Sequence, residues 1–397
     1  PFLMGKFLIK DDAQIAVIRQ LRLRTVWYFP DRSKLHPLPE EADSLEIPLG
    51  TEQPELDEAW LEKRELARVL TQRRQEIQKV EKQYNQTVHQ VKSLMIRMNS
   101  LPAQAISEAG VVVDGIVAAL LSDKDTVIHL MNSNSLDDTL YYHVLNVSVL
   151  SLMLAREAGL PEKLYSTLGF AALMHDIGQV KIPPQIVRKT SPLTKSEHDF
   201  YEQHVIYGVE MIKKFANENR LVWDVVDQHH EFCDGSGYPH QLKGPAISEL
   251  SKIVCIVNHY DKLCNHNDPR QSMTPHEAMG LMFAKQGPKF EKKYLQLFVK
   301  LLGIYPPGTV VQLSDERIGM VISLNRAELL KPSILIYDPE VPKEQAVIID
   351  LAANGELSIQ RSIKPIKLPP EVFIYLNPRE RVSYFFKMNA PKAASGK

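Results

Sequence analysis

A chain of 397 residues, 44% of them hydrophobic and 24% charged, is long enough to bury a large core and to divide into two or three units. Its 47 Lys and Arg balance 48 Asp and Glu, which excludes a net positive field for a nucleic acid polymer, so any polyanionic ligand must be caught locally. Three cysteines, Cys233, Cys255 and Cys264, lack CxxC spacing; they exclude a disulfide framework and a zinc ribbon and point to a reducing cytoplasm.

From Pro1 to about Gly50, short apolar runs such as Phe7-Leu8-Ile9 and Val26-Trp27-Tyr28-Phe29 flank helical spacing at Ile15, Ile18 and Leu21, which predicts a small α/β module over 1–55. No signal-peptide pattern opens the chain, and Pro1 in place of Met leads us to expect residues upstream. The Pro-rich, acidic stretch from Pro37 to Pro54 reads as an exposed linker. Between Leu56 and Asn99 Gly and Pro are absent and charges of both signs dominate, while Leu66, Val69, Leu70, Ile77, Val80, Tyr84 and Val91 recur at helical spacing. A long amphipathic helix over 56–100 is expected, either paired with a second copy in a homodimer or packed along its own domain.

Helical patterning with strong apolar faces returns over 101–305. No stretch approaches the roughly 18 to 20 uninterrupted apolar residues of a membrane span. Beyond Pro306, Thr309-Val310-Val311, Gly319-Met320-Val321-Ile322 and Ile334-Leu335-Ile336-Tyr337 alternate with turn residues and predict a β-rich appendage over 306–389. The small, polar residues 390–397 are expected to be a disordered tail. The fold class is therefore mainly α, with a small N-terminal α/β module and a short C-terminal β appendage.

Ten of the thirteen histidines fall between His143 and His276. His143 lies on a helix whose apolar face is Leu140, Val144, Val147, Leu150 and Leu154, a placement that also suits a buried structural histidine. The run Leu168 to Met174 ends in His175-Asp176-Ile177-Gly178, where the glycine can stop the helix. An adjacent His and Asp offer one imidazole and one carboxylate able to bridge two cations, as in binuclear hydrolase sites. With His204 and His229-His230 the pair becomes a strong metal signature. No Ser-centred elbow or reactive Cys context supports a covalent nucleophile.

After His229-His230-Glu231 the loop Asp234-Gly235-Ser236-Gly237-Tyr238-Pro239 matches the signature of the HD-GYP family, and the chain resembles that family over roughly Ala105 to Leu302. The resemblance rests also on His143 with Asn146-Val147, the His175-Asp176 pair, Ile182-Pro183, Leu193-Thr194 and His204 with Gly208. The module from Pro1 to Lys34 resembles a domain that often precedes HD-GYP domains in bacterial proteins, and a protein partner for it is expected. The resemblance implies a helical HD-type metallohydrolase domain that hydrolyses cyclic di-GMP to linear pGpG, in some members on to GMP, with a hydroxide bridging two metals as the attacking group. It implies His143, His175, Asp176, His204, His229 and His230 as metal ligands, with His175 and Asp176 at the catalytic centre. Two transition-metal ions are expected, iron or manganese first, with nickel or zinc also suited to imidazole and carboxylate donors.

Several positions depart from the family pattern. Thr139 stands where three-metal members carry Glu, hence the expectation of two ions. Gln179 replaces a lysine near the scissile phosphate, keeping a donor and losing a charge. Asn258 replaces the last metal-binding Asp with an amide oxygen that can coordinate more weakly, and Asp261, one helical turn on, is expected to substitute as a ligand, to support a ligand from behind, or to anchor a helix end or loop. Of two basic positions only Arg270 remains, the other being Asn267; Arg270 is either a phosphate clamp or a solvated loop residue. Lys189 matches a family substrate position or is a plain surface lysine, while Tyr238 and Gly237 are expected to shape the loop beside the substrate, with Gly235 and Gly237 permitting unusual backbone angles. These losses leave open a second function, a receptor that binds cyclic di-GMP with little turnover; an HD hydrolase for another nucleotide is disfavoured by the intact loop.

Overall fold

A computed structural model describes residues 79–122, 129–131, 139–215, 219–325, 327–343, 346–376 and 383–385. The chain divides into two compact units, Pro1–Lys63 and Arg64–Lys397, and every described residue belongs to the second. The expected α/β module, the linker, Leu66 to Ile77 of the long helix and the tail 390–397 lie outside the described residues.

The described part of the long helix, α1, covers 79–97. Val80, Tyr84, Val88, Val91, Leu94 and Met95 recur every three or four residues and are buried, so this stripe is used within the chain. Tyr84 stacks on Tyr142 with ring centroids 5.9 Å apart and lies 5.5 Å from Phe385. Arg97 grips Glu108 with both terminal nitrogens, tying α1 to α2 (Pro102–Ser122). Helix α2 is long and apolar enough to pass for a membrane span by length and composition, which the count of uninterrupted apolar residues did not anticipate. It carries Glu108 and Asp114, however, and buries Ala105, Ile106, Ala109, Val113, Ile116 and Leu120 against its neighbours, as a core helix does.

Helix α3 (Thr139–Glu157) is buried on all sides from Val144 to Ala155 and runs through the core, packing on α4 (Tyr165–Met174), α8 (Glu249–Cys264) and α10 (Lys292–Leu302). Between these lie α5 (Lys195–Glu202), α6 (His204–Phe215), α7 (Arg220–Gln228) and, after α8, α9 (Pro275–Ala284). Capping boxes start α5 and α9, where Thr194 pairs with Glu197 and Thr274 with Glu277.

The C-terminal region forms a five-stranded antiparallel sheet in the order β5-β4-β3-β2-β6, built from β2 (Val310–Leu313), β3 (Ile318–Ser323), β4 (Ser333–Ile336), β5 (Ile348–Asp350) and β6 (Ile359–Ile363). Alternation places Val311, Leu313, Val321, Ile334 and Ile336 on one buried face. Val310 on the other face meets Val372 and Leu376 of helix α11 (Pro370–Leu376). The expectation of short strands after Pro306 holds, but β1 (His129–Met131) and β7 (Ser383–Phe385) were not anticipated. They pair antiparallel, His129 opposite Phe385, and β7 packs on α3. The architecture is mainly α with a small antiparallel sheet in the C-terminal region.

Candidate metal centre

Three helix ends and two helix bodies bring the ligand-type side chains together. His143 sits one turn into α3; His175 caps the C-terminus of α4 and Asp176 follows it; His204 begins α6; His229 caps α7 and His230 follows; Asn258, Asp261 and Lys262 share a face of α8.

Three of the histidines are oriented by one device. The Nδ1 of His175 donates to Ala172 O at 2.7 Å, that of His204 to Tyr201 O at 2.6 Å and that of His229 to Val226 O at 2.8 Å, each three residues back. A proton committed at Nδ1 leaves the lone pair at Nε2 free for a metal. His143 is turned toward the cluster by another route, donating from Nδ1 to Asp261 Oδ2 at 2.6 Å. Burial pushes His175 and His230 below the ordinary imidazole range, and His229 down to about 3, so these rings are neutral. Burial would lower His143 as well, but hydrogen bonds to Asp176 and Asp261 outweigh it and hold its pKa at about 9.

All of these Nε2 atoms converge on one carboxylate. Asp176 Oδ1 lies 3.1 Å from His204 Nε2 and 3.5 Å from His229 Nε2, while Oδ2 lies 3.4 Å from His143 Nε2 and 3.3 Å from His175 Nε2. The two oxygens therefore serve two groups, His143-His175-Asp176 and Asp176-His204-His229-His230, sharing Asp176. Both oxygens are buried without a well-formed hydrogen bond, and so is the Oδ1 of Asn258. Buried acceptors left open beside the neutral imidazoles of His175 and His229 are what a divalent metal requires, and the donor set suits transition metals. Asp176 remains ionised there: burial would raise its pKa, but Lys262 and then His175 hold it well below the usual carboxylate range.

Asp261 does not face the open side of the cluster. Its carboxylate is committed to His143, to Asn146 Nδ2 and to Asn265 Nδ2 at 2.9 Å, contacts that suit a carboxylate supporting a ligand from behind or anchoring the helix end better than one replacing Asn258. Gln179 is buried and donates from Nε2 to Tyr201 Oη at 3.1 Å, away from the carboxylate-imidazole cluster. Tyr201, its ring 4.8 Å from that of His204, also lines a cavity of about 330 Å³ with Lys189, His266, Asn267 and Gln271. Lys189 pairs there with Glu197 at 2.5 Å, holding that carboxyl down at about 2. Arg270 does not reach the cluster; 80% exposed, it folds back on Asp268 at 2.9 Å.

The loop after α7 is clamped by buried Glu231, whose carboxylate accepts from His240 N at 2.6 Å and Leu242 N at 2.8 Å. Tyr238 stacks on His230, ring centroids 4.5 Å apart, closing one side of the cluster. Gly235 has the positive φ expected of it, 83°, but Gly237 is required for another reason: a Cβ there would lie 2.4 Å from His230 O and Phe232 N. Burial raises the pKa of all three cysteines, so none is a ready nucleophile.

Sequence reasoning passed over Lys262 and Tyr201 and, although it quoted Glu231 and Asn146 in the motifs, gave them no role. For Lys262 and Asn146 a signal existed, because Lys262 lies four residues after Asn258 and Asn146 three after His143, each on its neighbour's helix face.

A family model described as an HD domain matches residues 116–293, and a second, described as a domain of unknown function, matches residues 1–109. A Pseudomonas aeruginosa protein named cyclic di-GMP phosphodiesterase is 30% identical over 366 residues, which cover 89% of this chain and 83% of that protein. The chain belongs to the HD-GYP family. Other relatives match over shorter spans. A Vibrio cholerae protein named 3'3'-cGAMP-specific phosphodiesterase 2 is 31% identical over 40% of this chain and 30% of its own length. A Thermotoga maritima cyclic di-GMP phosphodiesterase is 29% identical over 44% of this chain and 48% of its own.

Proposed function

We propose that this chain is a metal-dependent phosphodiesterase that hydrolyses cyclic di-GMP to linear pGpG, and further to GMP if the linear product stays bound. The observation that carries the reading is Asp176, whose two buried oxygens face separate imidazole groups and lack well-formed hydrogen bonds. The name of the Pseudomonas aeruginosa relative, matched over 83% of its length, supports the substrate.

His143, His175 and Asp176 would hold one ion, with Asn258 Oδ1 as a further donor; Asp176, His204, His229 and His230 would hold a second. Iron or manganese suits this mixed set best, with nickel or zinc as further candidates. Such a pair supplies Lewis acidity toward phosphate oxygens and a water activated near neutral pH. The residues of the chain arrange the rest. Burial, then the Asp176 charge, keep the Tyr201 hydroxyl protonated, and burial does the same for Tyr238, so each can donate to an anionic ligand. Lys189 brings a cation to the cavity beside Tyr201, of a size suited to part of a nucleotide. Arg270 stands in sequence between Asn267 and Gln271, which line that cavity, and can clamp a phosphate only after leaving Asp268.

A second reading, a receptor with slow or no turnover, is favoured by Gln179, whose amide is turned to Tyr201 and brings no charge to the cluster. Cyclic di-GMP binding and product formation, measured side by side on protein loaded anaerobically with Mn or Fe and repeated with 3'3'-cGAMP, separate the readings. Linear product supports the enzyme, tight binding without product the receptor; preference for 3'3'-cGAMP would overturn the substrate.

A further inference from the structure

The cluster holds a cation of its own. Lys262 extends from the last turn of α8, and its Nζ stands 3.2 Å from His230 Nε2 and 3.8 Å from Asp176 Oδ2. An ammonium has three donors and no lone pair, so the contact with His230 makes Nε2 the acceptor. The lone pair that a metal ion would take from His230 is thus already in use. Among the described residues Lys262 is also the one Lys or Arg paired with Asp176, the carboxylate shared by both ligand groups. Its side chain is 35% exposed, so the stem reaches in from the solvent side and can withdraw without disturbing the core.

We propose that Lys262 is a built-in competitor for one of the two metal subsites. Its ammonium takes the His230 lone pair and offsets the Asp176 charge while that subsite is empty, and it leaves before an ion binds to His204, His229 and His230. Within the group His143-His175-Asp176 neither imidazole meets Lys262, whose contact there is the longer one to Asp176 Oδ2, so this group fills first. The second ion must displace a paired ammonium and meets its repulsion until it has moved. The two subsites therefore load in unequal steps. This inference rests on the metal-centre reading above.

The test is stepwise Mn²⁺ binding to metal-free full-length chain by titration calorimetry, with circular dichroism as a check on folding. Wild type should show two steps, the second weaker by at least about tenfold. Lys262→Met should tighten the second step by about tenfold or more and leave the first within about threefold, whereas Lys262→Arg, which keeps the charge, should retain the wild-type gap. Lys262→Gln repeats the loss of charge with a polar side chain, so the test survives if the Met variant fails to fold. Equal steps in wild type, or a second step unmoved in both neutral variants, would overturn the competitor role while leaving the metal centre standing. Both steps shifting together would reduce Lys262 to a structural group and overturn it also. Folded protein that binds no Mn²⁺ in any form would remove the metal-centre reading, and the role of Lys262 with it.

Discussion

Asp261 accepts the Nδ1 proton of His143 and so turns the Nε2 of that ring toward Asp176. Asp261→Asn keeps the shape and removes the charge, and metal affinity should fall by about ten- to hundredfold, the usual effect of losing such an outer partner. Chelator competition measures this, and an unchanged affinity would return Asp261 to the anchoring role its bond to Asn265 also permits. The same contact sets a pH dependence. With its pKa held at about 9, His143 carries a proton at neutral pH in the metal-free state, and an incoming ion must displace it. Metal affinity should thus rise with pH, by up to about tenfold per unit, and level off above about 9; His229, at about 3, is neutral throughout and adds no slope. Titrations from pH 6.5 to about 9 that show no slope would contradict the pairing. Residue types singled out the His175-Asp176 pair with His204 and His229-His230 as a metal signature, but the full set of six came from the resemblance to the HD-GYP family, since His143 by itself also suits a structural role. The partners of Asp261 and the reach of Lys262 were not readable, because both depend on rotamers set by packing between α3, α4 and α8.

Among the elements, the turn after α4 has the least room. A Cβ on Gly178 would lie 1.9 Å from His204 O and 2.5 Å from Gly208 N, all backbone of α6, so this glycine serves close approach and not the helix stop expected of it. Gly178→Ala must push α6 and His204 away from Asp176, with a cost of about 1–3 kcal/mol or more and a loss of metal affinity. Thermal unfolding with chelator competition on the same variant tests both; an unshifted melting temperature would contradict the packing. Helical periodicity predicted the helices well, including the apolar stripe of α1, where residues repeat over many turns. Of the two packings left open for that stripe, the described half follows the one within its own chain. The Gly178 contact escaped notice because close backbone approach leaves no periodic trace, only a glycine.

For the whole molecule, the division into helices followed by strands was readable from the change of period near Pro306. The pairing of β1 with β7 was not: two strands of three residues carry no pattern of their own, and partners so far apart in the chain leave no local signal. Their pairing lays β7 along α3, the helix that carries His143, so the C-terminal region supports the core from which the centre is built. Everything proposed for that centre passes through Asp176, which joins the two ligand groups and faces four histidines. The most direct measurement is the metal-to-protein ratio by elemental analysis, after anaerobic saturation with Mn or Fe and removal of free metal, for wild type and Asp176→Ala. Wild type should hold about two ions per chain and Asp176→Ala fewer than about one, whereas no metal in wild type, or the same ratio in both proteins, would contradict a centre bridged by this carboxylate.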